Sequence, residues 1–294
     1  VCFVLLSYRH THQPMIFVKE ATRAEIAAFA KKTRELQKKV GKLDDDAVKK
    51  AFTFLSDARM RIADSITQAQ GFDQFHLVQL LQSVENAMEE FRQRYSKVVL
   101  PSIRDGFNGG HDLVDLPMIE AGIRISPRPL MDLNQIEFMQ DFSASLIGKA
   151  SKQAIWQIDS ILRLAIIGEK SPNEVMREIG LVLRKRTAAE VERIVRTEIN
   201  RSINLGEEIR TQQIKDQVKG LKKYWRHTND SRTRDTHIEV GRATNPDYGG
   251  MPIDVDDDYD VGGYSAKYPM DVTLPASEVI NCRCRNILTI VDIE

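Results

Sequence analysis

Apolar residues recur every three or four positions along most of residues 20–218, and this periodicity constrains the fold more than any other feature. Such spacing places apolar side chains on one face of an α-helix, whereas a strand requires strict alternation. The pattern predicts helices over residues 20–41, 44–71, 73–99, 132–167, 171–183 and 187–218. We therefore predict a mainly α protein with an extended helical N-terminal region.

Two predicted helix starts carry a capping box, in which a Ser or Thr precedes a Glu by three positions. Ser171 and Glu174 form one such pair, with Pro172 at the first helical position, and Thr187 and Glu190 form the other. Residues 101–130, by contrast, are dense in glycine and proline. We expect an irregular link between subdomains there, with at most a short helix at residues 116–121.

The pattern changes after Gly220, where a strand-like run contains Trp225 and glycines and prolines become frequent before the β-branched stretch NILTIVDI. These features predict a small C-terminal α+β domain. The expected organisation is an N-terminal extension at 1–18, a helical region at 19–130, a long-helix region at 131–220 and the α+β domain at 221–294.

Charge and cysteine content exclude several classes of protein. The chain of 294 residues contains 42 Lys and Arg and 42 Asp and Glu, so it lacks the positive excess of a protein that coats nucleic acid, and any DNA contact is expected to be local. Three cysteines are too few for a disulfide framework, which indicates a reducing compartment. The apolar run at residues 2–6 is too short for a membrane span, and we expect residues 1–14 to be an extension ahead of Met15.

One group of residues has the chemistry of a metal site. Cys282 and Cys284 are two positions apart, so in an extended segment both face one side. His237 supplies a third ligand, and Asp230 could complete a tetrahedral zinc site. The alternative is that the cysteines are small buried residues and His237 is a structural histidine. We expect no cofactor, with zinc at His237, Cys282 and Cys284 as the alternative.

The same residues admit two catalytic interpretations. A Cys–His nucleophile pair is one, since Arg283, Arg285 and His237 could lower a thiol pKa, although no oxyanion site is evident. The other is a nuclease-like acid/base and phosphate-binding cluster in the segment that runs from Asp230 to His237. Alternating Arg and Asp more often form ion pairs that hold a glycine-rich domain together.

The neutral total charge is unevenly distributed along the chain. Residues 184–223 contain eleven Lys and Arg but only six Asp and Glu, whereas residues 254–260 form an acidic run. That run lacks the glycine and glutamate of a calcium loop, so we interpret it as solvated. The basic stretch is expected to contact phosphates or an acidic protein surface, and Arg184, Lys185 and Arg186 begin it.

Four stretches together resemble a known family: ERIVRTEINRSINLGEEIR at 192–210, WRHTNDSRTRDTH at 225–237, YPMD at 268–271 and ASEVINCRCRN at 276–286. In this order they are similar to the phage head morphogenesis family, the Mu F-like minor head proteins, over about residues 190–290. The matching positions are Arg196, Thr197, Glu198, Asn200, Trp225, Asp230, Arg232, Arg234, His237, Asn281, Cys282, Arg283 and Cys284.

The resemblance implies a virion protein present in few copies that is made in the bacterial host cytoplasm and acts at the portal vertex in head morphogenesis. Its implied partners are the portal protein and a coat or scaffolding protein, with no membrane. Many relatives have a Cys-x-x-Cys pair where this chain has Arg234 and His237, and a His in place of Val279, which makes zinc less expected here.

We therefore expect a non-enzymatic minor head protein in which Arg196, Glu198, Asp230, Arg234 and His237 tie the long helix to the small domain. The alternative is a virion-carried nuclease or transferase-like enzyme that uses His237 and Asp230.

Overall fold

The chain is mainly helical with a small C-terminal sheet region, as predicted. The computed structural model describes residues 20–69, 74–130 and 133–291, so the expected extension at 1–18 and the start at Met15 lie outside the described residues. The helices are α1 Arg23–Val40, α2 Leu43–Gln68, α3 Gln74–Val98, α4 Pro101–Glu120, α5 Leu133–Ile166, α6 Pro172–Leu181, α7 Ala188–Ile214, α8 Asp235–Thr244 and α9 Ala276–Val279. The strands are β1 Leu221–Arg226, β2 Ile253–Asp254, β3 Tyr259–Val261, β4 Tyr264–Ala266 and β5 Arg285–Ile290.

The main hydrophobic core lies among α2, α3, α5 and α7, which carry the periodic apolar residues. Ile62, Met88, Ile158 and Ile203 belong to this core and are fully buried. Each such side chain stabilises the fold by about 1.5–3 kcal/mol relative to exposure. Across the described residues, no helix is both long and apolar enough to cross a bilayer.

The prediction of an irregular link at 101–130 is wrong for its first 20 residues, which form α4. Pro101 stands at the helix start, where a missing N–H removes no helical hydrogen bond. Gly106 and Gly110 face α7, and a β-carbon at Gly110 would lie 2.2 Å from the carbonyl oxygen of Ile203. These glycines are therefore sites of close approach between two helix backbones, which outweighs their low helix propensity.

Residues 121–130 are irregular, as expected, and charged side chains hold them against α4 and α7. Arg128 donates to Asp112 and Asp115. Arg210, which is 1% exposed, donates to Asp115 over 2.6 Å and to the carbonyl of Ser126 over 2.6 Å. The segment is thus part of the helical body and does not separate two subdomains.

A single helical run connects residues 172–214, because a π-helical turn at Val182–Thr187 joins α6 to α7. The Ser171 capping box is confirmed, since its hydroxyl accepts from the Glu174 N–H and the Glu174 carboxylate accepts from the Ser171 N–H. The predicted capping box at Thr187 is wrong. Its hydroxyl donates to the carbonyl of Val182 over 3.0 Å, because the backbone is already helical there.

Strand β1 lies between β2 and β5 and is antiparallel to both, while β3 and β4 form a separate hairpin. The register pairs Trp225 with Asn286 and Arg226 with Arg285. Leu288 and Ile290 of β5 share a hydrophobic cluster with Phe29 of α1 and Met118 of α4. The sheet therefore packs directly on the helical body.

The basic stretch at 184–223 and the acidic run at 254–260 form ion pairs with each other, so their charges are less separated than expected. Lys215 forms an ion pair with Asp256, and Lys222 lies 3.1 Å from Asp254. Arg184, Lys185 and Arg186 are exposed on the π-helical turn instead. Within the described parts of the chain these three side chains form no ion pair, so the available positive charge lies at the beginning of the basic stretch.

Candidate functional site

A buried cluster of one histidine and two cysteines lies at the centre of the C-terminal region. His237 projects from α8, and Cys282 and Cys284 precede β5. The His237 Nδ1 atom lies 3.3 Å from the Cys284 Sγ atom and 3.6 Å from the Cys282 Sγ atom. All three residues are at most 2% exposed. The structure therefore brings together the three residues that the sequence singled out as ligands.

Local backbone geometry places both sulfur atoms on one side. Asn281 adopts a left-handed conformation with φ of 60°, and the Cys282 N–H donates to the carbonyl of Val279 in the turn that follows α9. The chain then becomes extended, so alternation directs Cys282 and Cys284 inward and Arg283 outward. Trp225 packs its ring edge-on against His237 at 5.2 Å and closes the cluster.

The pKa values of the two thiols are shifted in opposite directions. The Cys284 thiol, and after it the His237 ring, lower the pKa of Cys282 well below its ordinary value, against the opposing effect of burial. The hydrogen bond with Cys282 and burial raise the pKa of Cys284. The cluster can therefore hold one negative charge on Cys282, stabilised by the second thiol and the imidazole.

Glu278 is a member of this site that sequence reasoning missed. One of its carboxylate oxygens lies 3.0 Å from His237 Nε2, although the N–H direction does not point at that oxygen. The same oxygen accepts a hydrogen bond of 2.8 Å from Thr236. The only signal available in the sequence was its position four residues before Cys282.

As a structural zinc site the cluster is one protein ligand short. The three candidate ligand atoms lie within 4.8 Å of one another, and tetrahedral zinc separates its nitrogen and sulfur ligands by about 3.6 Å. A structural zinc site needs four protein ligands, and among the described residues the group contains three. The donor set is thus one ligand short of a structural zinc site, and it equals the two cysteines and one histidine of a zinc site that keeps one position open.

Asp230, the expected fourth ligand, lies elsewhere. It is exposed and accepts two hydrogen bonds from Arg283, of 2.9 and 2.6 Å. Arg232 lies 3.7 Å from the same carboxylate, and these arginines lower the pKa of Asp230, mainly through the hydrogen bond from Arg283. Asp230 therefore belongs to an arginine–aspartate ion-pair group, which is the alternative that the sequence left open.

The pairing of Asp230 with His237 as acid and base, which the enzyme alternative requires, is not formed. His237 contacts the two cysteines, Trp225 and Glu278, whereas Asp230 contacts Arg283 and Arg232.

Three polar side chains of α7 tie the long helix to the C-terminal region. The Thr197 hydroxyl accepts from the Asn281 N–H over 2.9 Å. Asn200 donates to the carbonyl of Cys282 over 3.3 Å, and Asn204 donates to that of Cys284 over 3.2 Å. Helical spacing of three and four residues aligns these side chains along the segment that carries the cysteines.

Arg196 and Glu198, which we expected to join the long helix to the small domain, have other partners. Arg196 pairs with Asp44 and Asp45 at the start of α2, and Glu198 pairs with Arg201 on its own helix. The prediction for Arg196 and Glu198 is therefore wrong. Arg234 binds within the C-terminal region, where it donates to the carbonyl of Ile280 over 2.7 Å.

Comparison with known proteins gives a partial match. No family model and no solved structure matches the chain. A stretch of 95 residues is 36% identical to NAD(+)–arginine ADP-ribosyltransferase EFV of Enterococcus faecalis, and it covers 32% of this chain and 18% of that protein. The chain therefore spans less than a fifth of the length of the curated relative that it matches.

Proposed function

We propose that this protein is a non-enzymatic phage minor head protein that acts in head morphogenesis at the portal vertex, with a further role in DNA packaging or delivery. The observation that carries the proposal is the convergence of the family-like residues, which come from separate parts of the sequence. Thr197 and Asn200 of α7 bind the segment that carries Asn281 and Cys282. Arg283 of that segment in turn binds Asp230.

In this proposal the C-terminal region is a rigid module, and the helical body presents the surface for the portal protein. A groove of about 660 Å³ lies between α5, α7 and residues 271–280. Phe138, Phe142, Val272 and Ile280 line the groove and are exposed to solvent. Exposed apolar side chains of this kind mark protein–protein interaction sites.

The exposed basic triplet Arg184, Lys185 and Arg186 is the charged part of the proposed interface. We propose that it contacts an acidic surface of the portal protein or of a coat or scaffolding protein, or that it makes a local contact with DNA. Charges of this kind steer association and are screened by salt. The groove and the triplet therefore predict different salt dependences.

The enzyme alternative receives less support. His237 is 1% exposed and Asp230 is engaged by Arg283, so the two side chains proposed as acid and base have separate partners. The relative named as an ADP-ribosyltransferase leaves about four-fifths of its own length outside the match. The shared stretch is therefore too small a part of that protein to assign its activity to this chain.

The test is binding of the purified chain to portal rings of the same phage, measured by analytical ultracentrifugation in 0.1 and 1 M salt. We expect a complex that persists in 1 M salt and is lost in the double variant Phe138→Ser and Phe142→Ser. Trp156→Ser is the matched control, because Trp156 is exposed on the same helix but lies five turns, about 27 Å, from Phe138. Replacing Arg184, Lys185 and Arg186 with Gln should weaken the complex in 0.1 M salt.

Failure to bind portal rings in either salt would overturn the proposal. Transfer of label from NAD to an arginine-containing acceptor, abolished by His237→Ala in a folded protein, would establish the enzyme alternative instead.

A further inference from the structure

A second cleft lies on the opposite side of the Cys282–Cys284 segment from the cysteine cluster. It has a volume of about 510 Å³ and is bounded by the turn between α1 and α2, by α7 and by residues 226–232. We call it the arginine cleft, and its basic lining residues are Lys38, Arg196, Arg226, Arg232, Arg283 and Arg285. Pockets for small ligands are typically about 300–1,000 Å³.

The lining of the arginine cleft is strongly positive. Six Lys and Arg face two acidic residues, Asp44 and Asp45, an excess of four charges. Both aspartates already bind Arg196, and Arg283 is bound by Asp230. Arg226 is exposed and forms no ion pair with any residue that the structure describes. The cleft therefore keeps basic groups that are free to bind an anion.

Arg285 is the deepest of these groups, and its position is unusual for an arginine. It is 8% exposed, and its buried Nη1 atom has no hydrogen-bond partner in the described parts of the chain. Burial lowers the pKa of Arg285, against the opposing effects of Asp44 and Glu207. A buried guanidinium N–H without a partner is costly. Because Arg285 also lines the cleft, its charge is available to attract an anion that binds there.

An aromatic surface borders the same cleft. The Tyr248 ring is stacked on His227, with ring centres 5.0 Å apart and planes inclined by 16°. Tyr248 is 45% exposed. The His227 ring also packs closely against Gly241, since a β-carbon at Gly241 would lie 2.3 Å from the ring. A planar base can stack on an exposed aromatic ring fixed in this way.

From these contacts we infer that the arginine cleft binds a nucleoside phosphate, with the phosphate on Arg226 and Arg285 and the base against Tyr248. The concave shape admits a free nucleotide or the phosphorylated end of a DNA strand. A phosphate within a duplex lies on a convex surface and does not reach Arg285. This site shares no lining residue with the groove between α5 and α7, so it is independent of the proposed portal contact.

The test is isothermal titration calorimetry of the full chain with dAMP, inorganic phosphate and deoxyadenosine in 50 mM salt. We expect dAMP to bind more tightly than either fragment. Arg226→Ala and Arg285→Lys should each weaken dAMP binding about ten-fold or more. Tyr248→Ala should weaken dAMP binding but leave phosphate binding unchanged. Arg242→Ala is the matched control, since Arg242 is an exposed arginine of α8 outside the cleft.

Two single-stranded oligonucleotides, one with a 5′-phosphate and one with a 5′-hydroxyl, distinguish the two sources of the ligand. Tighter binding of the phosphorylated strand than of dAMP identifies a DNA end, and equal binding identifies the free nucleotide. No binding of dAMP or of the phosphorylated strand to folded protein would overturn the inference. So would binding that Arg226→Ala and Tyr248→Ala leave unchanged, and both residues are exposed enough for these variants to fold.

Discussion

The close approach of α4 and α7 gives a prediction in which two neighbouring glycines behave in opposite ways. A β-carbon at Gly110 would lie 2.2 Å from the carbonyl oxygen of Ile203 and 2.6 Å from the amide nitrogen of Glu207. A β-carbon at Gly109 would meet only side chains, with the Val40 methyl groups at 3.4 and 3.5 Å. Gly110→Ala therefore forces two backbones apart, whereas Gly109→Ala fills ordinary space.

Both changes gain about 0.5–1 kcal/mol from the better helix propensity of alanine. At Gly110 this gain is opposed by overpacking, which costs about 1–3 kcal/mol or more where a backbone must move. The difference between this cost and this gain leads us to expect that Gly110→Ala lowers the free energy of unfolding by about 1 kcal/mol, and by up to about 2.5 kcal/mol. We expect Gly109→Ala to leave it unchanged or raise it by up to about 1 kcal/mol.

Urea denaturation followed by circular dichroism at 222 nm measures both free energies of unfolding. Thermal unfolding provides a second readout, since about 1 kcal/mol corresponds to about 2–4 °C in a protein of this size class. Equal stabilities of the two variants would refute the argument, because the two positions differ in what their β-carbons would meet and not in helix propensity.

Two further predictions concern buried polar groups. Burial lowers the pKa of His111 from 6.5 to about 4, and both ring nitrogens lack a hydrogen-bond partner among the described residues. The folded state disfavours the charged ring, so the buried neutral His111 costs the fold nothing from protonation above pH 6.5. As the pH falls from 6.5 towards 4, the free energy of unfolding should decrease by up to about 3 kcal/mol, because only the unfolded state binds the proton readily. His111→Leu should therefore flatten the decline in the free energy of unfolding between pH 7 and 4, measured by urea denaturation, and an unchanged slope would contradict this. Asn204→Ala leaves the Cys284 carbonyl without its donor and should cost about 1–3 kcal/mol, with faster hydrogen exchange at residues 281–286 than at α2. Uniform protection across both regions would count against the proposed tie.

The sequence predicts the long helices well because their apolar spacing reflects burial directly. It fails at α4, where Gly106 and Gly110 resemble helix breakers until the neighbouring backbone of α7 is known. No local pattern reports such a tertiary contact, and packing overrides propensity there.

The candidate site likewise contains one feature that the sequence predicts and several contacts that it does not. The two-residue spacing of Cys282 and Cys284 correctly places both sulfurs on one side, because strand alternation is a local property. Which side chains meet them depends on the turn between β1 and α8, and that turn directs Asp230 towards Arg283. Asn204 and Glu278 were missed because their contacts join segments that are distant in sequence or separated by a turn.

The contact between α1 and β5 has a consequence for how the protein is made. Gln37 donates to the carbonyl of Asn286, which lies 249 residues later in the chain. At about 5–20 residues per second, a ribosome needs roughly 12–50 s to synthesise that interval. During this time Gln37 of α1 lacks its partner on β5, whereas Phe29 can already pack against Met118 of α4. The contact between α1 and β5 is therefore among the last contacts of α1 that can form during synthesis.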